Sequence, residues 1–210
     1  MPAHTFFTRF LPVAAISVGL LVAAPAANAG HKKKTKTVTA TIALGDKRPV
    51  KARASVAPCQ NTDVLPTSET LDVVRAAILC LHNQIRAEKG LPLLKENAKL
   101  RKAAVGHSAT MVNEGFFDHT APDGTTFVDR ILSAGYAKRN DGWTLGENLA
   151  WGTGDLSSAT GVMNAWMNSA GHKANIVKKA YREVGIGIRL GVPSDESVGA
   201  TITADFGVKL

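Results

Sequence analysis

Cysteine, tyrosine and tryptophan are scarce in this 210-residue chain, with two, two and three copies, and aromatic residues make up 6% of it. Two cysteines exclude a framework of several disulfides. Beyond residue 27 there is no apolar run long enough to cross a bilayer. The sequence also lacks a Gly-x-Ser-x-Gly elbow, a His-Glu-x-x-His helix and internal repeats. The first two absences remove the usual signatures of a serine hydrolase and of a compact zinc peptidase.

Charge is missing where a formal net of +8 would suggest it. Gly30–Pro58 holds eight Lys/Arg and a single acid, Asp46, whereas Cys59–Leu210 holds sixteen basic and sixteen acidic residues. The high pI therefore belongs to a tail. No clustered cations with interleaved aromatics occur in the rest, so no nucleic-acid partner is expected.

What is present begins with export. Arg9, the apolar stretch Leu11–Val22 and the Ala27-Asn28-Ala29 site have the three parts of a secretory signal peptide, assigned to residues 1–29. A retained anchor is the alternative reading. The mature protein is expected outside the cytoplasm, secreted or associated with the cell envelope. Residues 30–65 read as a flexible basic tail, with some strand character at Val38–Ile42. It serves either to contact anionic surfaces or as a solvated linker. In an exported chain Cys59 and Cys80 are expected to pair; a catalytic thiol at Cys80 is the alternative.

The folded domain is expected over residues 66–210. Pro66 with Thr67/Ser68 opens a first helix whose face carries Leu71, Val74, Ile78, Leu81 and Ile85. Further helices are expected at Glu96–Asn113, Thr126–Ala134, Leu156–Met167 and Gly171–Lys179, the last capped by Ser169. His82 and His107 lie on apolar helix faces and read as core histidines. Two alternating strands close the chain, Val184–Leu190 and Ala200–Phe206, joined most simply as an antiparallel hairpin. Gly185 and Gly187 share one face of the first, leaving room for a helix to approach. Helices first and strands last predict an α+β fold with helices over an antiparallel sheet.

His119 in FFDHT, Glu147 in GENLAW and His172 in AGHKANI are expected to meet in one cleft. Two imidazoles and a carboxylate suit a divalent cation such as zinc. They equally suit a hydrogen-bonded cluster in which Glu147 accepts from either histidine.

The order LHNQIRAEKGLPLL, FFDHTAPDGTTFVDRI, GENLAWG, AWMNSAGHKANI and YREVGIGI resembles the CAP superfamily, in its bacterial SCP-like branch, over about Leu71–Gly207. That family comprises cysteine-rich secretory proteins, antigen 5 and pathogenesis-related proteins. The resemblance implies a three-layer α-β-α sandwich with a central antiparallel sheet and a central cleft. Eukaryotic members carry two histidines and two glutamates there, of which His119, Glu147 and His172 match three. Ser169 stands where the other glutamate would be, and Glu183 is an accessory candidate from its strand. The family's sterol- and fatty-acid-binding members imply a non-enzymatic extracellular binding module, monomeric, for a lipid-like or envelope ligand. A metal-dependent extracellular hydrolase and an envelope-attached structural protein are the alternatives.

Overall fold

Alternation in the last third of the chain decides how the layers stack. The structure, a computed structural model, describes residues 57–194 and 198–210. The expected signal peptide, most of the basic tail and the Val38–Ile42 segment lie outside the described residues. In chain order the elements are α1 (Leu71–Glu88), β1 (Lys95–Glu96), α2 (Ala98–Glu114), α3 (Phe127–Ser133), β2 (Trp143–Gly152), α4 (Ala159–Asn168), α5 (Ala170–Ile176), β3 (Glu183–Leu190) and β4 (Ala200–Lys209). A 3-10 turn, Gly154–Ser157, precedes α4.

The strands form one sheet in the order β1-β3-β4-β2. β4 runs antiparallel to both β3 and β2, so the hairpin expected from sequence is present. The two-residue β1 pairs with β3 in parallel, a strand too short to leave a periodic signal.

Val184, Ile186 and Ile188 of β3 and Ile202, Ala204 and Phe206 of β4 face one way. There they join Val74 and Ile78 of α1 and Val162 and Trp166 of α4 in the main core. Each large side chain buried there contributes about 1.5–3 kcal/mol. On the opposite face Gly185 and Gly187 let α2 lie directly on the sheet. A Cβ at Gly185 would sit 1.9 Å from the Arg101 nitrogen, and one at Gly187 would sit 2.3 Å from the Ala104 carbonyl carbon. Leu100 and Ala103 of α2 pack with Ile131 and Tyr136 in a smaller cluster beside it. Helices on both faces of the sheet make the three-layer sandwich.

Several boundaries move for local reasons. α1 starts at Leu71, because Thr67, Ser68 and Thr70 bond among themselves, to Glu69 and to the Leu65 carbonyl. Asn97 caps α2 by accepting from the Lys99 and Leu100 amides, and Gly115 ends it in the left-handed region at φ 67°. Thr126 and Asp129 form a capping box on α3. α4 begins only at Ala159, with Ser158 as its cap. α5 ends at Ile176 rather than Lys179, and Ser169, its N-cap residue, makes no side-chain cap bond.

Cys59 and Cys80 form a disulfide that ties the segment before α1 onto the helix. It closes a loop of sequence separation 21, worth about 3 kcal/mol in the chain-entropy description. Replacing both cysteines by alanine is expected to lower unfolding free energy in urea by about 2–4 kcal/mol. A change below about 0.5 kcal/mol would mean that the bridge constrains nothing.

Candidate functional site

Glu147 sits at the middle of β2, opposite Asp205 of β4, which is itself opposite Gly185 of β3. Residues opposite one another share a face, so both carboxylates point toward the side covered by α2. Both are buried. The next pieces come from the segment after α2. His107 of α2 donates from Nε2 to the Asp118 carbonyl at 2.9 Å, which pins the FFDHT loop to the helix. Asp118 turns the loop by accepting from the Thr120 amide.

His119, at the apex, donates from Nδ1 to Glu147 Oε1 at 2.8 Å, and half of its ring is exposed. Arg130, from α3, holds the assembly together. Its Nη2 donates to Glu147 Oε2 at 2.7 Å and to the His119 carbonyl at 3.0 Å, and its Nη1 donates to the Thr125 carbonyl. Glu147 thus has an imidazole on one oxygen and a guanidinium on the other. Behind it, burial and the adjoining Glu147 carboxylate push the Asp205 pKa well above the ordinary range. The Asp205 oxygens find no donor among the described residues. In its neutral form the acid keeps its proton and can donate its O–H toward Glu147.

His172 is reached from the other side of β2. Asn148 Nδ2 donates to the His172 carbonyl at 3.0 Å, and Asn175 Nδ2 donates to the Glu147 carbonyl and to Asn148 Oδ1. The His172 ring feels the charge of His119. Among the described residues it makes no hydrogen bond to Glu147. Three alternate carbonyls of β2 accept from side chains. Tyr181 donates to Leu145, Asn175 to Glu147 and the Trp166 indole to Leu149, at 2.8, 3.1 and 2.9 Å.

Glu183 is held elsewhere: Asn97 Nδ2 donates to its Oε1 and the Tyr136 hydroxyl to its Oε2. It is two residues along β3 from the strand position level with Asp205 and has no bond to either cleft histidine. Ser169, the N-cap residue of α5, makes no side-chain cap bond. The two remaining histidines of the described residues, His82 and His107, are buried. His82 bonds the Ile78 carbonyl between the rings of Trp166 and Phe206, and burial lowers its pKa to about 4. Arg130 and Asp205 are the residues that sequence reasoning missed. The signal for Asp205 was present, since a strand face beside Gly185 and Gly187 must also lie under a helix.

A divalent cation does not fit this arrangement. Both Glu147 oxygens are engaged, one by a guanidinium that would repel the metal. No group of three or more His, Cys, Asp or Glu among the described residues is placed to hold one.

The bond to Glu147 raises the pKa of His119, whereas burial and then the charge of His119 lower that of His172. The His119–Glu147 interaction therefore stabilises the fold fully below the unfolded value near 6.5 and is lost as pH rises through the higher folded value. In an NMR titration His119 is expected to titrate above 6.5 and His172 below it. Glu147→Gln is expected to bring His119 back down. A His119 midpoint at or below that of His172 would contradict the geometry.

The sequence model of the CAP family, "Cysteine-rich secretory protein family", matches residues 79–197. The chain is 29% identical over 155 residues to the uncharacterized protein YkwD of Bacillus subtilis, covering 74% of this chain and 57% of that protein. It is 32% identical over 111 residues to the uncharacterized membrane protein YlbC of the same organism, covering 53% of this chain and 30% of that protein. The chain thus spans about half or less of these relatives. Among solved structures, an extracellular protein of Bacillus anthracis containing an SCP domain superposes with a TM-score of 0.54 at 26% identity, over 67% of this chain and 43% of that one. An outer surface protein of Borrelia burgdorferi shares the fold with the same TM-score of 0.54 at 20% identity, over 70% of this chain and 97% of that one. No helix among the described residues is long and apolar enough to cross a membrane.

Proposed function

The chain belongs to the CAP family of cysteine-rich secretory proteins, and from that premise we propose that it is a non-enzymatic extracellular binding module. The extracellular placement is supported by the signal-like N-terminus and by the likeness to the extracellular Bacillus anthracis protein. In this reading the cleft edged by His119, Glu147 and His172 recognises oxygen atoms of an envelope component or of a lipid-like headgroup. One observation carries it: both oxygens of Glu147 are spoken for, by His119 Nδ1 and Arg130 Nη2. The carboxylate is therefore a fixture that orients His119, and the ring presents its other nitrogen to the cleft, as an acceptor when neutral and as a donor when protonated.

A hydrolytic reading has one observation in its favour, because a carboxylate on Nδ1 is also how a general base is oriented. It finds no support in a covalent nucleophile of the usual kinds: both cysteines are in the disulfide, and the elbow motif is missing. Native mass spectrometry of the full chain recovered from its own medium tests the two. A small-molecule adduct that His119→Ala abolishes is the expected result. An adduct indifferent to His119, or turnover of an envelope polymer that His119→Ala removes, would overturn the binding reading.

A further inference from the structure

We propose that one end of the sandwich is a docking surface for an anionic phospholipid bilayer, separate from the Glu147 cluster. The charges of Cys59–Leu210 balance, sixteen against sixteen, but the fold sorts them. Lys95 of β1 pairs with Glu183 at the start of β3. Arg182, one residue earlier, accepts at its carbonyl from the Lys95 amide and gives its own amide to the Gly207 carbonyl near the end of β4. Its guanidinium lies back along the chain, where Nη1 donates to the Lys179 carbonyl at 2.6 Å. Lys178 and Lys179 follow α5 on the way into β3, and Lys138 and Arg139 precede β2. A hollow of about 690 Å³ brings Lys138 and Arg139 beside Lys209 at the end of β4. All of these residues are exposed. In sequence they stand on four separate segments, which is why no cluster shows there.

Little at this end cancels them. Glu96 is shared by Arg75 and Arg101, and Asp129 is paired with Arg139. Glu88 stands beside Lys89 where α1 ends. Among the described residues Glu183 and Asp141 remain, the first held by Asn97 and Tyr136, the second accepting from the Lys138 amide. Two of the lysines are held over rings instead of carboxylates. Lys178 Nζ is 5.0 Å from the centre of the Tyr181 ring, and Lys209 Nζ is 5.0 Å from that of Tyr136. A ring positions an ammonium and leaves its full charge in place. The opposite end has the other sign: Asp63 and Asp155 face one hollow there, and Glu114 ends α2 just beyond Val112, which reaches Gly191. A field of that polarity turns the basic end toward a negative surface before contact. The array spreads in two directions. It crosses four strands, about 15 Å at their usual spacing, and runs from the segment after α5 on one face of the sheet to the loop after α3 on the other. A plane of headgroups meets all of these charges at once, whereas a linear polymer meets one row of them. Lysine outnumbers arginine here, and an ammonium attracts phosphate as a point charge without demanding a fixed geometry.

Co-sedimentation with vesicles tests this, using wild-type and variant proteins recovered from their own medium. Vesicles of phosphatidylcholine containing about one-third phosphatidylglycerol are expected to bind the wild type at low salt and release it at high salt. Vesicles of phosphatidylcholine alone are expected not to bind it. Lys138→Glu combined with Lys179→Glu changes two exposed residues whose side chains make no hydrogen bond or ion pair among the described residues, so the melting temperature should stay where it is. That double variant is expected to bind the anionic vesicles about tenfold more weakly or worse. Arg189→Glu, an exposed site near the far end of β3, should change binding less than about twofold, being more than a Debye length away. The basic tail is present in every one of these proteins, so it cannot produce the difference. Undiminished binding by the double variant would place attachment in the tail and overturn the proposal, as would a wild type that ignores anionic vesicles. An equal loss per charge with Arg189→Glu would report net charge alone and overturn it too. So would binding to soluble polyphosphate as tight, per phosphate, as to the vesicles, which would make the partner a linear polyanion.

Discussion

Arg86→Leu is expected to destabilise the domain by about 4–6 kcal/mol, more than any other single substitution described for it. The side chain is completely buried near the end of α1. Among the described residues it has no carboxylate partner there; its four hydrogen bonds all go to backbone carbonyls. Nε donates to Pro92 at 2.7 Å, Nη1 to Ile176 and Lys178 at 2.8 and 3.0 Å, and Nη2 to Tyr181 at 3.0 Å. Those acceptors belong to the turn after α1 and to the stretch from the end of α5 to the start of β3. One guanidinium therefore fixes where α5 stops and how the chain enters its central strand. Leucine would leave the Pro92 and Ile176 carbonyls without donors among the described residues, at about 1–3 kcal/mol for each that water does not reach, and would take one of two donors from Lys178, which keeps the Tyr181 amide, and from Tyr181, which keeps Arg182 Nη1. Arg86→Lys should recover only part of the loss, because an ammonium cannot reproduce the planar fork. Urea unfolding of the three proteins checks this. A cost below about 1.5 kcal/mol for leucine would show that the carbonyls are not dependent on Arg86.

The second expectation is a contrast of sign within the Glu147 cluster. Arg130→Leu should cost about 3–5 kcal/mol, because it leaves a buried carboxylate without its cation. Asp205→Asn should cost nothing at neutral pH and is expected to stabilise. Burial raises the Asp205 pKa, and the neighbouring Glu147 raises it further, so the folded protein keeps a proton that the unfolded chain releases above about 3.8. That stability is fully present below the unfolded value and declines as pH rises toward the folded one. Asparagine donates to Glu147 without needing the proton, so its advantage should grow between pH 4 and pH 7. Unfolding curves at the two pH values decide the matter. An asparagine variant weakened as much as the Arg130 variant would show Asp205 to be an ionised partner of Arg130.

How far such behaviour could be foreseen from sequence depends on the kind of signal each residue leaves. Periodic features were legible: the apolar stripe of α1, the alternation of β3 and β4, and the glycine face that admits α2. His119 and Glu147 were legible because they stand in short motifs on a loop and a strand, and their contact follows once β2 crosses under the FFDHT loop. Arg130, Asp205 and Arg86 were not singled out, and each for a physical reason. Arg130 sits on a seven-residue helix where an arginine ordinarily faces solvent. Asp205 lies on the polar side of an alternating strand, which looks like a wet face unless it is set beside the glycine face of β3 that admits α2. Arg86 pairs with backbone carbonyls far along the chain, and a backbone acceptor has no sequence signature. Glu183 shows the reverse error, since a carboxylate near the cleft in sequence is taken by Asn97 and Tyr136 first.

The side-chain donors along β2 have a consequence for how copies of this protein meet. β2 is an edge strand, and a bare edge offers its carbonyls to any other extended chain. Here the Leu145, Glu147 and Leu149 carbonyls are already taken by Tyr181, Asn175 and Trp166. A second strand would have to evict all three donors before it could add to the sheet. The residues that make AWMNSAGHKANI and YREVGIGI recognisable thus also guard the molecule against strand exchange and fibre growth.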